Sequence, residues 1–153
     1  LLRNISLTLY EDSMLSLGSL YNVSKQIERA LDKRVWLPSG GYLVIEPTEA
    51  LTVIDVNTGK DVNKKKKQEH FLKVNKEAAR MAAKQLRLRN LSGIIIIDFI
   101  DMKQEEDRKE LLSYLKREVQ LDTVPVQVVD MTKLELVELT RKKVSKNLKE
   151  QLT

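Results

Sequence analysis

Two apolar runs in this chain each end in a carboxylate: Leu-Thr-Val-Ile-Asp-Val-Asn at 51–57 and Ile-Ile-Ile-Ile-Asp-Phe-Ile-Asp at 94–101. Each reads as a buried strand, and a strand that delivers an aspartate to the open end of a sheet delivers a charge that must be paired, solvated or bound to a cation. In open α/β sheets, ligands gather outside the carboxyl ends of strands. If the two strands are parallel neighbours, Asp55 and Asp98 can share one hard divalent cation, with water and a substrate phosphate filling its remaining positions. The cation expected is Mg2+. It would stabilise charge developing on phosphoryl oxygens and lower the pKa of a bound water, so that hydroxide attacks phosphorus near neutral pH. Asn57, two residues beyond Asp55, falls on the same side by strand periodicity and can donate to a phosphate oxygen or orient the water. These residues also have structural roles open to them: a strand-end aspartate commonly forms a turn or an ion pair. Asp101, three before Gln104, fits a helix N-cap better than a ligand. His70, the only histidine, is not needed as a base.

The elements that position these residues follow from periodicity. Ile5, Leu7 and Leu9 alternate as in a half-buried edge strand over residues 1–10. Behind Asn22 as a cap, Val23, Ile27, Ala30 and Leu31 form the stripe of a short amphipathic helix. Val35-Trp36-Leu37, the glycines at 40 and 41 and the run 42–46 read as a hairpin, with Trp36 assigned to core or hairpin packing. A strand at 50–56 follows. The polar stretch 58–63 and the lysines 64–67 read as a surface loop. From 68 to 88, Phe71, Ala78, Ala79, Ala82 and Leu86 recur at helical spacing, and the alanines favour a long helix. Gly93 links it to the strand 94–98. Leu111, Leu112, Leu115 and Val119 mark the buried stripe of another helix, and 126–129 a further strand. Residues 134–149 begin ambiguously and finish as a basic helical tail. Strands alternating with helices imply an α/β fold, a mixed sheet covered by helices, with no internal repeat.

The 153 residues fit one domain, and 42% hydrophobic with 32% charged residues place the chain among globular proteins rather than disordered ones. There is no apolar run of about 18 residues for a membrane span and no cleavable leader pattern. Without cysteine, disulfides and thiolate metal sites are excluded, so a soluble, cytoplasmic protein is the default expectation. The formal charge of +5 favours polyanionic partners. Lys73, Lys76, Arg80, Lys84 and Arg87 are spaced to form one positive stripe along the long helix, a surface that can track a nucleic-acid backbone or simply remain a solvated face. Tyr42, Phe71, Phe99 and Tyr114 do not cluster in sequence, and no base-stacking platform is visible.

Four blocks carry a family resemblance: Val-Trp-Leu-Pro-Ser-Gly-Gly-Tyr at 35–42, Glu-Ala-Leu-Thr-Val-Ile-Asp-Val-Asn-Thr-Gly-Lys at 49–60, Gln-Leu-Arg-Leu-Arg-Asn-Leu at 85–91 and Ile-Ile-Ile-Ile-Asp-Phe-Ile-Asp-Met at 94–102. In order and separation they resemble the catalytic segment of the ribonuclease E/G family, over about residues 30–145. The resemblance implies a DNase I-like catalytic subdomain at 34–153, preceded at 1–33 by the end of another subdomain, a strand plus a helix. It implies that Asp55 and Asp98 hold Mg2+ and that Asn57 assists at the scissile phosphate. It also implies endonucleolytic cutting of single-stranded, AU-rich RNA in RNA processing and decay, leaving a 3′ hydroxyl and a 5′ phosphate. Family members carry an S1 domain, a 5′-end sensor and a zinc-binding cysteine pair that this sequence lacks, so it looks like an excised or reduced catalytic segment. Ser92 and Glu135 stand where the family usually has glycine. The RNA-binding surface expected is Lys60, Lys65, Lys66, Arg80, Lys84 and Arg87, with the lysine run partly replacing the missing RNA-binding parts. A homodimer through the catalytic subdomain is the assembly considered. The alternative reading is a non-catalytic RNA-binding or assembly module on the same fold, and a third is a structural dimerisation piece.

Overall fold

Residues 6–59 and 67–152 are described by the computed structural model of the chain, which divides into two units between Leu31 and Asp32. In the first unit, helix α1 (Leu17–Leu20) is capped by Ser16, whose Oγ accepts from the Ser19 N–H at 3.1 Å. Helix α2 spans Val23–Leu31. Asn22 joins the two helices in the left-handed conformation, φ 52°, and so does not have the extended backbone of an ordinary N-cap. The strand expected over the first ten residues is not formed over 6–10: Leu7 and Leu9 are 93% and 81% exposed. Their alternation meets no second strand among the described residues, and unpaired backbone gains nothing from an extended shape.

The second unit is built on one six-stranded sheet of β1 (Arg34–Trp36), β2 (Tyr42–Pro47), β3 (Leu51–Asn57), β4 (Gly93–Asp98), β5 (Val126–Met131) and β6 (Leu136–Arg141), in the order β1-β2-β3-β4-β6-β5. Every neighbouring pair is antiparallel except β3 and β4, which run parallel. A parallel pair needs a crossover, and α3 (Lys67–Arg89) supplies it. Helix α4 (Glu105–Val119) follows β4, and α5 (Leu148–Leu152) is the last element among the described residues.

Strand alternation sorts the side chains into two faces. Leu43, Ile45, Ile54, Val56, Ile95, Ile97, Val137 and Leu139 are buried together with Val74, Ala78, Ala79, Ala82 and Leu86 of α3 and Leu111, Leu115 and Val119 of α4. The alanines bring α3 close to the sheet. Helices therefore cover one face. The other is open: Trp36, Val53 and Ile94 on it are 61%, 36% and 50% exposed. The apolar runs suggested strands buried on both sides, and the structure buries one.

Two further expectations are corrected. The cap of α4 is Gln104, with extended backbone and no side-chain cap bond, rather than Asp101. The ambiguous stretch after 134 contains β6, which inserts between β4 and β5. Its core-facing positions are Val137, Leu139 and Arg141, and the arginine breaks the apolar alternation. Arg141 is buried because Asp122 pairs with its Nε at 2.8 Å, while its Nη1 donates to Asn90 Oδ1 and the Leu91 carbonyl. Arg89 likewise donates to Gln85 Oε1 and the Asp32 carbonyl. The block Gln85 to Leu91 thus ties the end of α3 to both edges of the unit.

Candidate active site

Asp55 on β3 and Asp98 on β4 are direct register partners in the parallel pair. Adjacent strands lie about 4.8 Å apart, and both residues alternate with core positions (Ile54, Val56, Ile97), so both carboxylates stand on the open face. Asn57, the register partner of Tyr42, shares that face and donates from Nδ2 to Asp55 Oδ2 at 2.8 Å. Burial, the charge of Asp55 and the charge of Asp101 push the Asp98 carboxyl above its usual range. Asp98 thus has like charges beside it, a condition that a cation relieves.

Does this donor set suit Mg2+? Two hard oxygen donors side by side do. No cluster of three or more His, Cys, Asp or Glu side chains is arranged for a metal among the described residues. A cation held by two carboxylates keeps its other positions for water and phosphate oxygens, the usual habit of Mg2+.

The site rests on glycines and on one buried amide. A Cβ on Gly41 would lie 2.6 Å from the Asn57 carbonyl oxygen, and one on Gly59 would lie 1.8 Å from the Gly40 carbonyl oxygen. The end of β3 is thus pressed directly onto the β1–β2 turn, where the Leu37 N–H donates to the Gly41 carbonyl at 2.8 Å. Asn75, fully buried on α3, clamps the segment after Asp98: its Nδ2 donates to the Ile100 carbonyl at 2.8 Å and its Oδ1 accepts from the Ile100 N–H at 3.0 Å. Asn75 was not legible as a site residue, since a polar position within an apolar stripe carries no mark of its partner.

Arg80, Lys84 and Arg87 lie on α3, in the layer behind the sheet, and so do not share the face of Asp55 and Asp98. Arg80 and Lys84 are exposed, whereas Arg87 donates to the Glu118 carbonyl at 3.5 Å. Of the rest of the stripe, Lys76 pairs with Glu110 and lies over Tyr114. Lys60, Lys65 and Lys66 lie outside the described residues. On the open face, sequence reasoning missed a cluster. Trp36 and Tyr42 meet edge to face with centroids 5.3 Å apart, and the Arg34 guanidinium sits 4.5 Å from the Tyr42 ring centre. The signal available was hairpin register, because Trp36 and Tyr42 flank the Gly-Gly turn as partners.

The profile of the Ribonuclease E/G family matches residues 3–144. Ribonuclease E of Synechocystis sp. (strain ATCC 27184 / PCC 6803 / Kazusa) is 49% identical over 136 residues, 89% of this chain and 20% of that protein. Ribonuclease E of Nostoc sp. (strain PCC 7120 / SAG 25.82 / UTEX 2576) is 46% identical over 85% of this chain and 19% of its own length. Ribonuclease G of Escherichia coli (strain K12) is 45% identical over 129 residues, 84% of this chain and 26% of that protein. The chain spans about a fifth to a quarter of the length of these relatives.

Proposed function

Since this chain belongs to the ribonuclease E/G family, we propose that it is the catalytic part of an endoribonuclease, hydrolysing phosphodiester bonds in single-stranded RNA with Mg2+ held by Asp55 and Asp98. The observation that carries this reading is the parallel register that sets Asp55 beside Asp98. When bound, Mg2+ would stabilise charge on the scissile phosphate and acidify a water. Asp55 and Asp98 would hold the cation. One amide hydrogen of Asn57 is committed to Asp55, fixing that carboxylate, and the second can reach a phosphate oxygen. The carboxylates lie on an open sheet face rather than in an enclosed pocket, which suits a polymer passing through in both directions and hence internal cutting. Arg80 and Lys84, behind the sheet, act on RNA through the net positive field and not at the reacting phosphate.

The test compares cleavage of a short single-stranded RNA with Mg2+ by the wild-type chain and by Asp55→Asn and Asp98→Asn. Loss of about 100-fold or more in either variant is expected for a removed cation ligand. Equal cleavage by all three rejects the assignment. Because the chain spans only part of its relatives, a binding module without catalysis is the competing reading, supported by RNA binding with no cleavage in any of the three.

A further inference from the structure

Tryptophan and tyrosine, large rings with a polar handle, are enriched at contact surfaces, and Trp36 is 61% exposed on the open face. It is held in place nonetheless. Tyr42 abuts it edge to face at 5.3 Å and 61°, and the Arg34 guanidinium lies 4.5 Å from the Tyr42 ring centre and 5.7 Å from that of Trp36. Trp36, Tyr42 and Asn57 are successive register partners on β1, β2 and β3. They form one row across the sheet that ends at the side chain bonded to Asp55. Two strand spacings put Trp36 about 10 Å from Asn57.

We infer that Trp36, Tyr42 and Arg34 form a stacking subsite for one nucleobase of the single-stranded RNA, adjoining the nucleotide whose phosphate lies at Asp55 and Asp98. The inference rests on the assignment of those carboxylates as the reacting end. An indole ring offers a flat surface to any base, which gives affinity without strict sequence preference. The guanidinium beside it adds a cation for the neighbouring phosphate. Tyr42 and Arg34 hold the indole before RNA arrives, so little side-chain freedom is lost on binding. A duplex has its bases already stacked on one another and cannot offer one to the ring without unstacking. The subsite therefore favours single strands.

Trp36 is the only tryptophan of the chain, so its fluorescence reports on this site alone. Short single-stranded oligoribonucleotides are titrated into the wild-type chain with a chelator present to prevent cutting, while Kd is followed independently by fluorescence anisotropy of the labelled RNA. Saturable quenching of Trp36 is expected, with much less from a duplex and from an oligonucleotide carrying abasic sugars. Trp36→Ala is expected to weaken Kd by about tenfold or more, with Trp36→Phe recovering part of the loss. RNA bound with no change in Trp36 fluorescence and with the same Kd for Trp36→Ala overturns the subsite, whether or not the chain cuts RNA. Quenching without cleavage sustains the subsite while the catalytic assignment fails. If Trp36→Ala leaves RNA binding intact but changes self-association in sedimentation, the patch is a protein interface and the inference is wrong.

Discussion

The contact between the β1–β2 turn and the end of β3 can be probed one glycine at a time. A Cβ at Gly59 would fall 1.8 Å from the Gly40 carbonyl oxygen, about 1.2 Å inside the 3.0 Å limit that real Cβ contacts respect. The obstacle is backbone, so the end of β3 from Asn57 to Gly59 must shift against the β1–β2 turn by a comparable distance. Misplacement of a reacting group by about 1 Å can cost roughly 100-fold in rate. At Gly41 the shortfall is smaller, about 0.4 Å against the Asn57 carbonyl oxygen, and overpacking of that size costs about 1–3 kcal/mol. Gly40 is the control: its φ of +88° makes alanine strained by about 1–2 kcal/mol, yet nothing lies within 4 Å of the added carbon. All three alanine variants should therefore melt at lower temperature, by about 2–4 °C per kcal/mol. Cleavage of single-stranded RNA should separate them, with Gly40→Ala near wild type and Gly59→Ala down by about two orders of magnitude. Thermal melts by circular dichroism and initial rates at saturating Mg2+ supply both numbers. Full activity in a folded Gly59→Ala protein would refute the idea that this contact sets the position of Asn57.

Two other expectations follow from charges in the structure. Because Asp98 is held above its usual pKa by burial, Asp55 and Asp101, Asp98→Asn should raise the melting temperature in chelator. Mg2+ should raise that of the wild type by an amount equivalent to about 2.7 kcal/mol at a hundredfold excess over Kd, and that of the variant by much less. A melting temperature indifferent to both changes would count against a cation site. For Asp122, burial raises the carboxyl pKa, but the Arg141 hydrogen bond, the Val124 N–H and the Arg141 charge outweigh it, and the net direction is down from 3.8. A depressed acid stabilises the fold fully above its unfolded pKa and ceases to as pH falls through the lower folded value, so this pair should contribute to unfolding only below about pH 4. Arg141→Met should cost about 3–5 kcal/mol at neutral pH by leaving Asp122 buried alone, and the variant should regain stability relative to wild type as acid protonates it. Urea unfolding at pH 7 and pH 4 measures this, and parallel losses at both would contradict the pairing.

The site-bearing strands were legible because β-branched residues crowd both runs, and the crossover helix because alanines recur on one face. What could not be read was context. Val53 and Ile94 look like core from their neighbours, yet α3 and α4 pack on the opposite face of the sheet. Arg141 occupies a core position only because Asp122, nineteen residues earlier, waits there, and no local pattern encodes that partner. The alternation of Leu7 and Leu9 had the opposite fault, a clear signal with no partner strand among the described residues. Gln104 took the cap expected of Asp101, which leaves that charge beside Asp98. Trp36 and Tyr42, six positions apart, became neighbours through a turn whose register the glycines permit. The adjacency of Asp55 and Asp98 depended on one fact beyond composition, that their strands run the same way.

That β6 arrives between β4 and β5 in the reverse sense makes the surroundings of the carboxylates lopsided. Asp98 has Asp55 on one flank and Leu136 on the other. A thread drawn crosswise over these strands passes from rings and a guanidinium, over two acids, to an aliphatic side chain. Two halves of such a thread would meet unlike chemistry, because the strand order sets different side chains on either flank of the acids.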